Sequence, residues 1–519
     1  MPANRRNKPA GGLPGEVSRK AGSKLPSVPG QSIWFRLFGI DYRSLALFRV
    51  MLGISLATDL VTQIPVFWTL HMPGGAIDRQ ALEQRFTGSW YWSVFWLSDW
   101  PPYRVMLLAA VAAASLCLVL GWRTRIATIV AWIVITSLNY DAPPATSGGD
   151  ILLGLLLFWS MFLPLGQRWS LDARRLPPPP ATTFASVATA GVLLQMAMMY
   201  FFTGIAKLTP PWLDGTALEL VFSNARITRP LGSLLAGAVV VPRALTWLTL
   251  AAELGLPFLM FSPWKTAAFR SVALVVFMGM HLCIELTVNV LIFSLVSLAG
   301  LICFVPSRWW TCFPLNRLAA LCDRLLPAPE QSGSGSRSTR AAIPSSAKFP
   351  VMRRFGQALL VVPIVYCLAE NLSSNFAAPQ TRAQLEWCDR LGELLTLGQT
   401  WNMFFDPRNL YYDVALVGKK NDDTYVDLLR PGVTVVDPTL CPARPAEYPS
   451  ARMKAFLIYL ANDGYGAFRR SYVEQAFRHW NANAAPQDKL VNLFLVYYPV
   501  PPHEGSRDTR YYVAWRARE

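Results

Sequence analysis

Charge is scarce in this chain. Only 15% of its 519 residues are Asp, Glu, Lys or Arg, where ordinary soluble domains carry about 25%. With 53% hydrophobic residues, that excludes a purely soluble protein and points to a polytopic membrane protein with a soluble part attached. Histidine is scarcer still: His71, His281, His479 and His503 are the four present. The eight cysteines have no C-x-x-C or related spacing, so no metal site is expected. No Walker loop, nucleotide-binding glycine pattern or hydrolase elbow occurs. An inverted repeat with paired broken helices is also missing, which argues against a transporter. The first 30 residues carry Arg5, Arg6, Lys8, Arg19, Lys20 and Lys24 without an apolar run beside them. They read as a disordered basic tail and not as a cleavable signal.

Long apolar runs are what the chain has instead. Runs near 44–64, 103–121, 126–141, 150–165, 185–206, 243–262, 269–285, 289–305 and 355–371 predict about nine transmembrane helices. With the N-terminus inside, Lys and Arg concentrate in the inner segments, and the turns at 139–150 and 285–289 hold none. The positive-inside pattern thus predicts N-in, C-out. The expected fold is a polytopic α-helical membrane bundle with a C-terminal extracytoplasmic mixed α/β domain, in a multi-pass protein of a bacterial plasma membrane. The net charge of +16 reads as a topology and anionic-lipid signal. No basic stripe interleaved with aromatics marks a nucleic-acid partner. After residue 371, 17 Lys/Arg stand against 16 Asp/Glu, so that domain is nearly neutral.

The expected organisation is a tail (1–36), a membrane bundle (37–305), an inner linker (306–354), a last membrane helix (355–371) and an outer soluble domain (372–519). In the 65–102 loop, Trp90, Trp92, Trp96 and Trp100 suit an interfacial aromatic belt. Leu231–Val241 is apolar but too short to span, and suits a re-entrant or interfacial segment. The linker's Gln331–Thr339 stretch reads as flexible. Pro363 is a candidate kink in the last helix. In the outer domain, Asn421-Asp422-Asp423 between apolar runs predicts a hairpin, 450–481 predicts helices, and Val491–Tyr498 predicts a strand. Cys388 and Cys441 alone fall in that domain; an oxidising compartment allows them to pair, and spacing does not establish that they do.

Each ionisable residue in the bundle needs an explanation. Lys207 ends the apolar run Tyr200-Phe-Phe-Thr-Gly-Ile-Ala-Lys207 and precedes Trp212. Such a lysine either snorkels into headgroups or sits desolvated, where an ammonium becomes an amine base. Arg49 and Asp59 share a helix but lie about 15 Å of rise apart, so each is expected to have a partner on another helix. Asp150 follows Gly148-Gly149 at a helix start, which the helix dipole favours. Glu253 lies mid-helix. His281 and Glu285 share a face at i,i+4. The topology sets Lys207, Asp150, His281 and Glu285 at one depth near the outer leaflet.

At these residues the chain resembles the HTTM family, to which the vitamin K-dependent γ-glutamyl carboxylase belongs. The resemblance runs in order through Phe48-Arg49 with Asp59-Leu60, Gly148-Gly149-Asp150 with Phe158–Pro164, Gln195 with Tyr200–Lys207 and Trp212-Leu-Asp-Gly215, His281-Leu with Phe293-Ser294, Gln399–Phe404, and Val426–Arg430. It implies a membrane enzyme in which a lysine, here Lys207, acts as base on a reduced vitamin K or menaquinol-type quinone. Oxygen and carbon dioxide then convert a peptidyl glutamate on the outer side to γ-carboxyglutamate, with quinone epoxide as the other product. His281 and Asp150 are the other candidate catalytic residues, and Trp212, Tyr200 and Glu285 the candidate quinone-binding ones. The carboxylase also uses a histidine near the outer end of its fourth helix, where this chain carries Asp150. A carboxylate does not supply a neutral N–H donor. The alternative reading is a non-catalytic lipid- or quinone-binding protein that assists export or maturation of a peptide partner, with membrane lipids as its other contacts.

Overall fold

The computed structural model describes residues 32–179, 181–224, 227–238, 240–326, 356–376, 386–405, 407, 412–435 and 446–499. The first 31 residues of the expected tail, the Gln331–Thr339 stretch and a Cys388–Cys441 pair lie outside what is described; the end of the expected tail is not disordered but enters a short helix, Ile33–Phe38, capped by Ser32.

Eight helices build the N-terminal bundle: α1 (Tyr42–Leu70), α2 (Pro101–Leu120), α3 (Thr124–Asp141), α4 (Gly148–Ser160), α5 (Val187–Ala206), α6 (Val240–Met260), α7 (Thr266–Thr287) and α8 (Phe293–Leu301). A ninth, α9 (Val361–Phe376), packs against α5. Among the described residues, five helical stretches are long and apolar enough to cross a membrane: Tyr42–Leu70, Pro101–Leu120, Val187–Ala206, Thr266–Thr287 and Gly356–Phe376; Pro230–Ala236 and Val240–Met260 taken together make a sixth. Gly148–Ser160 and Phe293–Phe304 are apolar but shorter. The expected short segment forms a helix of its own, Pro230–Ala236, bent 110° from α6. The last helix carries a single turn residue at Leu360, three residues before Pro363, where proline clashes with the carbonyl of the preceding turn; it still runs as one stretch from Gly356 to Phe376.

Local sequence explains the helix ends and contacts. Asp41 caps α1 by accepting from the Arg43 amide at 2.9 Å. Ser186 and Thr189 form a reciprocal box at the start of α5. Gly121 ends α2 at φ +69, where a side chain would strike Ser170 and Arg49. Gly53 lets α1 approach α2, and Ser115 Oγ donates to its carbonyl at 2.8 Å.

The first part of the expected linker departs from a plain tether. It forms helix Leu315–Leu325 and packs on the bundle. Trp310 is buried and donates to Ser44 Oγ at 3.0 Å, while Asp323 accepts from Trp169 Nε1 at 2.7 Å. A tryptophan this large is stable here only because its N–H finds an acceptor.

The C-terminal domain combines α10 (Ala451–Tyr459) and α11 (Gly466–Asn483) with a four-stranded antiparallel sheet. Its strands are β1 (Tyr412–Lys420), β2 (Tyr425–Asp427), β3 (Thr434–Val435) and β4 (Leu490–Pro499), in the order β3-β2-β1-β4. The expected hairpin is present: Lys419 pairs with Tyr425, and Asp422 accepts from the Thr424 amide at 3.0 Å. Alternation sends Val414, Leu416, Leu493 and Leu495 to the helix-covered face. Fully buried Arg430 ties β1 to β2 through Asp413 at 2.8 Å and Asp427 at 2.5 Å.

This domain docks on the bundle through an ion cluster. Arg452, at the start of α10, reaches Asp59 on α1 at 2.6 Å and Asp150 on α4 at 2.9 Å. It also donates to the Ala145 carbonyl at 3.0 Å and to Thr62 Oγ1 at 3.1 Å. All three charged side chains are buried. Removing one partner of such a cluster strands the others, at a cost of about 3–5 kcal/mol. Arg452→Met is therefore expected to lower the melting temperature sharply in detergent. Adding Asp59→Asn and Asp150→Asn is expected to recover much of the loss. An Arg452→Met protein that melts with the wild type would remove the cluster from any stabilising role.

Candidate functional site

The site is built where α5 ends. Lys207 caps α5, its amide donating to the Thr203 and Gly204 carbonyls at 3.2 Å. Gly204 sets the distance to α6: a Cβ there would meet Leu254 at 3.0 Å and Glu253 at 3.1 Å. The missing side chain brings Glu253 beside the end of α5. Lys207 Nζ then donates to Glu253 Oε1 at 2.6 Å. Lys207 is 5% exposed and Glu253 4%, so Lys207 does not snorkel. Two opposite charges held this closely in apolar surroundings hold each other in place.

Trp212 covers the pair, with Lys207 Nζ 4.6 Å from its ring centre, a cation–π contact. The tryptophan is fixed by its Nε1, which donates to the Phe404 carbonyl at 2.8 Å. Phe404 belongs to the segment leading into the C-terminal domain. That segment is anchored in the bundle core: Gln195 donates to Gln399 Oε1 at 2.6 Å, and Trp401 Nε1 donates to the same atom at 2.7 Å.

These residues border a cavity of roughly 320 Å³. Lys207 and Glu253 are the charged groups in its wall. The remaining wall is mainly apolar, from α6, α7, the short helix Ala217–Ser223, Trp212 and Phe404. Leu248 and Val275 on its rim are 57% and 63% exposed, so the cavity meets the apolar outside of the bundle between α6 and α7. An apolar ligand with one polar end fits such a place.

The expected site residues separate into three groups. Lys207 and Trp212 line the cavity. His281 and Tyr200 pair in the adjoining core, with Tyr200 Oη 2.7 Å from His281 Nε2 and the Tyr200 ring stacked on Phe277 at 3.9 Å. Neither borders the cavity, although Met280, Cys283 and Ile284 on the same helix do. Asp150 and Glu285 do not join them. Asp150 is bound by Arg452 and by the Ser147 amide at 2.7 Å. Glu285 pairs with Arg229 at 2.6 Å, half exposed. The shared depth of these residues did not bring them together, because each carboxylate met a nearer arginine.

Glu253 and Arg452 are the residues whose importance the sequence reading passed over. The only signal for Glu253 was an acid in mid-helix, which needs a partner. Arg452 carried no signal at all, since it lies in a polar stretch. Asp59 meets a partner on another helix, Arg452, as expected; Arg49 departs from that expectation, because its partners are loop carbonyls. Arg49 donates to the Trp169 carbonyl at 2.5 Å and to the Leu165 carbonyl at 3.4 Å. No cluster of three or more potential metal ligands occurs among the described residues.

Gly204→Val tests the packing that makes the pair. Its added methyls are expected to push α6 outward and cost about 1–3 kcal/mol, as overpacking does. The melting temperature of the purified protein reports this. An unchanged value would mean that the α5–α6 contact yields at no cost.

Comparison with known proteins agrees with this architecture. The uncharacterized protein YitO of Bacillus subtilis (strain 168) is 26% identical over 232 residues, covering 41% of this chain and 71% of that protein. No solved structure matches. The HTTM domain matches residues 39–309, which span α1 to α8 and the cavity wall apart from Phe404, and the chain belongs to the HTTM family.

Proposed function

We propose that this multi-pass membrane protein is a carboxylase-like enzyme that takes a reduced quinone in the Lys207–Glu253 cavity and acts on a peptidyl glutamate. The observation that carries the reading is the buried ion pair at the polar end of an otherwise apolar cavity. The residues suit a quinol. Its apolar body matches the walls from α6 and α7. Its ring matches Trp212. Its hydroxyl matches Glu253 Oε2, a buried oxygen that has no hydrogen-bond partner among the described residues. Together with oxygen, a bound quinol supplies a base strong enough to remove a proton from carbon. The chain's own part is to hold the ring, exclude water and keep a cation beside the ligand oxygen.

The reading places nine spans in a bacterial plasma membrane, with the N-terminus inside and the C-terminal domain outside as the peptide-facing module. The Gln399–Phe404 segment would connect that module to the cavity wall. Asp150 supplies no neutral donor while Arg452 holds it. Tyr200 and His281, beside the cavity, are the nearest uncharged hydrogen-bonding pair.

The test is isotopic. Wild type and Lys207→Ala receive reduced naphthoquinone, oxygen, labelled bicarbonate and a glutamate-rich peptide. The expected result is labelled peptide and quinone epoxide from wild type and neither from the mutant. Epoxide without labelled peptide would reassign the carbon acid. Neither product from folded wild-type protein would sink the enzymatic reading and favour a quinone- or lipid-binding role.

A further inference from the structure

The Lys207–Glu253 pair leaves half of its carboxylate unused. Oε1 accepts from Lys207 Nζ at 2.6 Å. Oε2 is buried and has no hydrogen-bond partner among the described residues. An unsatisfied buried oxygen on a carboxylate is costly, and native proteins rarely keep one without a use. Glu253 lies in the cavity wall, so a ligand bound there is the available partner. The other polar groups nearby are committed. Trp212 Nε1 serves the Phe404 carbonyl, and the Tyr200 hydroxyl serves His281.

We propose that Glu253 Oε2, rather than the Lys207 amine, accepts the proton of a ligand hydroxyl in this cavity, while Lys207 remains an ammonium and balances the charge left on the ligand oxygen. This rests on the reading above that the ligand carries an acidic hydroxyl. The step balances without an oxidant or reductant. The ligand O–H bond breaks, an H–Oε2 bond forms, and the bonding electron pair stays on the ligand oxygen. The total charge of cavity and ligand is unchanged, and the cation then faces one anion. The alternative makes a lysine with a carboxylate 2.6 Å from its nitrogen surrender its proton first. That leaves an anion buried without a counter-charge.

The two assignments make opposite predictions for two substitutions. If Lys207 is the base, Glu253→Gln leaves an unpaired lysine in apolar surroundings. Such a lysine favours the neutral amine and so is free to accept a proton. If Glu253 is the base, the same change abolishes proton transfer. Lys207→Arg keeps a cation that does not act as a base. It therefore abolishes transfer in the first case and preserves it in the second.

The probe is an alkylated 1-naphthol, whose anion absorbs at longer wavelength than the neutral form. It would be titrated into nanodiscs carrying the full chain, with empty nanodiscs giving the lipid background. Saturable binding with the naphtholate band is expected for wild type and for Lys207→Arg. Glu253→Gln is expected to bind within about tenfold of wild type but to show only neutral naphthol. Naphtholate in Glu253→Gln, or a bound but neutral probe in wild type, would overturn the assignment and leave the hydroxyl-ligand reading standing. Absence of saturable binding to folded wild type would overturn that reading itself. Thermal melting of each variant identifies any that fail to fold, and the remaining variant then decides.

Discussion

A charge buried among apolar helices must find a counter-charge or hydrogen-bond partners inside the protein, because neither lipid nor packed apolar side chains will solvate it. This constraint organises the structure. Lys207 meets Glu253 across α5 and α6. Arg452 meets Asp59 and Asp150 across α1, α4 and the C-terminal domain. Arg104 meets Asp141, which also holds the His71 ring at 2.8 Å. Arg49 has no acid in contact among the described residues and takes backbone carbonyls instead. Each pairing fixes the spacing of the helices that supply it, so the polar exceptions in the bundle define its geometry as much as the apolar majority does.

The pairings differ in what they leave free. Both carboxylates around Arg452 are fully engaged, and that cluster lies between two parts of the fold. It acts as a fastening. The Lys207–Glu253 pair stands in a cavity wall with one oxygen unused. Charge burial is common to both clusters, and adjoining space distinguishes them.

The C-terminal domain is part of this arrangement and not an appendage. Its lead-in segment supplies the Phe404 carbonyl that fixes Trp212, and its Gln399 is held by Gln195 in the bundle core. Its first long helix supplies Arg452. A displacement of this domain would therefore act on the cavity wall and on the α1–α4 contact together.

By itself the sequence determined the membrane class, the approximate places of the helices, the Asn421–Asp423 hairpin and the prominence of Lys207. These follow from local properties: apolar run length, turn chemistry, and the cost of a cation at the end of an apolar helix. The family followed from an ordered set of short patterns around the same residues. Only the tertiary structure decided partners. Lys207 and Glu253 are 46 positions apart, and Asp59 and Arg452 are 393 apart; no periodicity links such positions. A common depth for Lys207, Asp150, His281 and Glu285 was legible, but depth is one coordinate of three. Position in the membrane plane depends on how helices pack, and packing gave Asp150 to Arg452, Glu285 to Arg229 and Lys207 to an acid that had looked incidental.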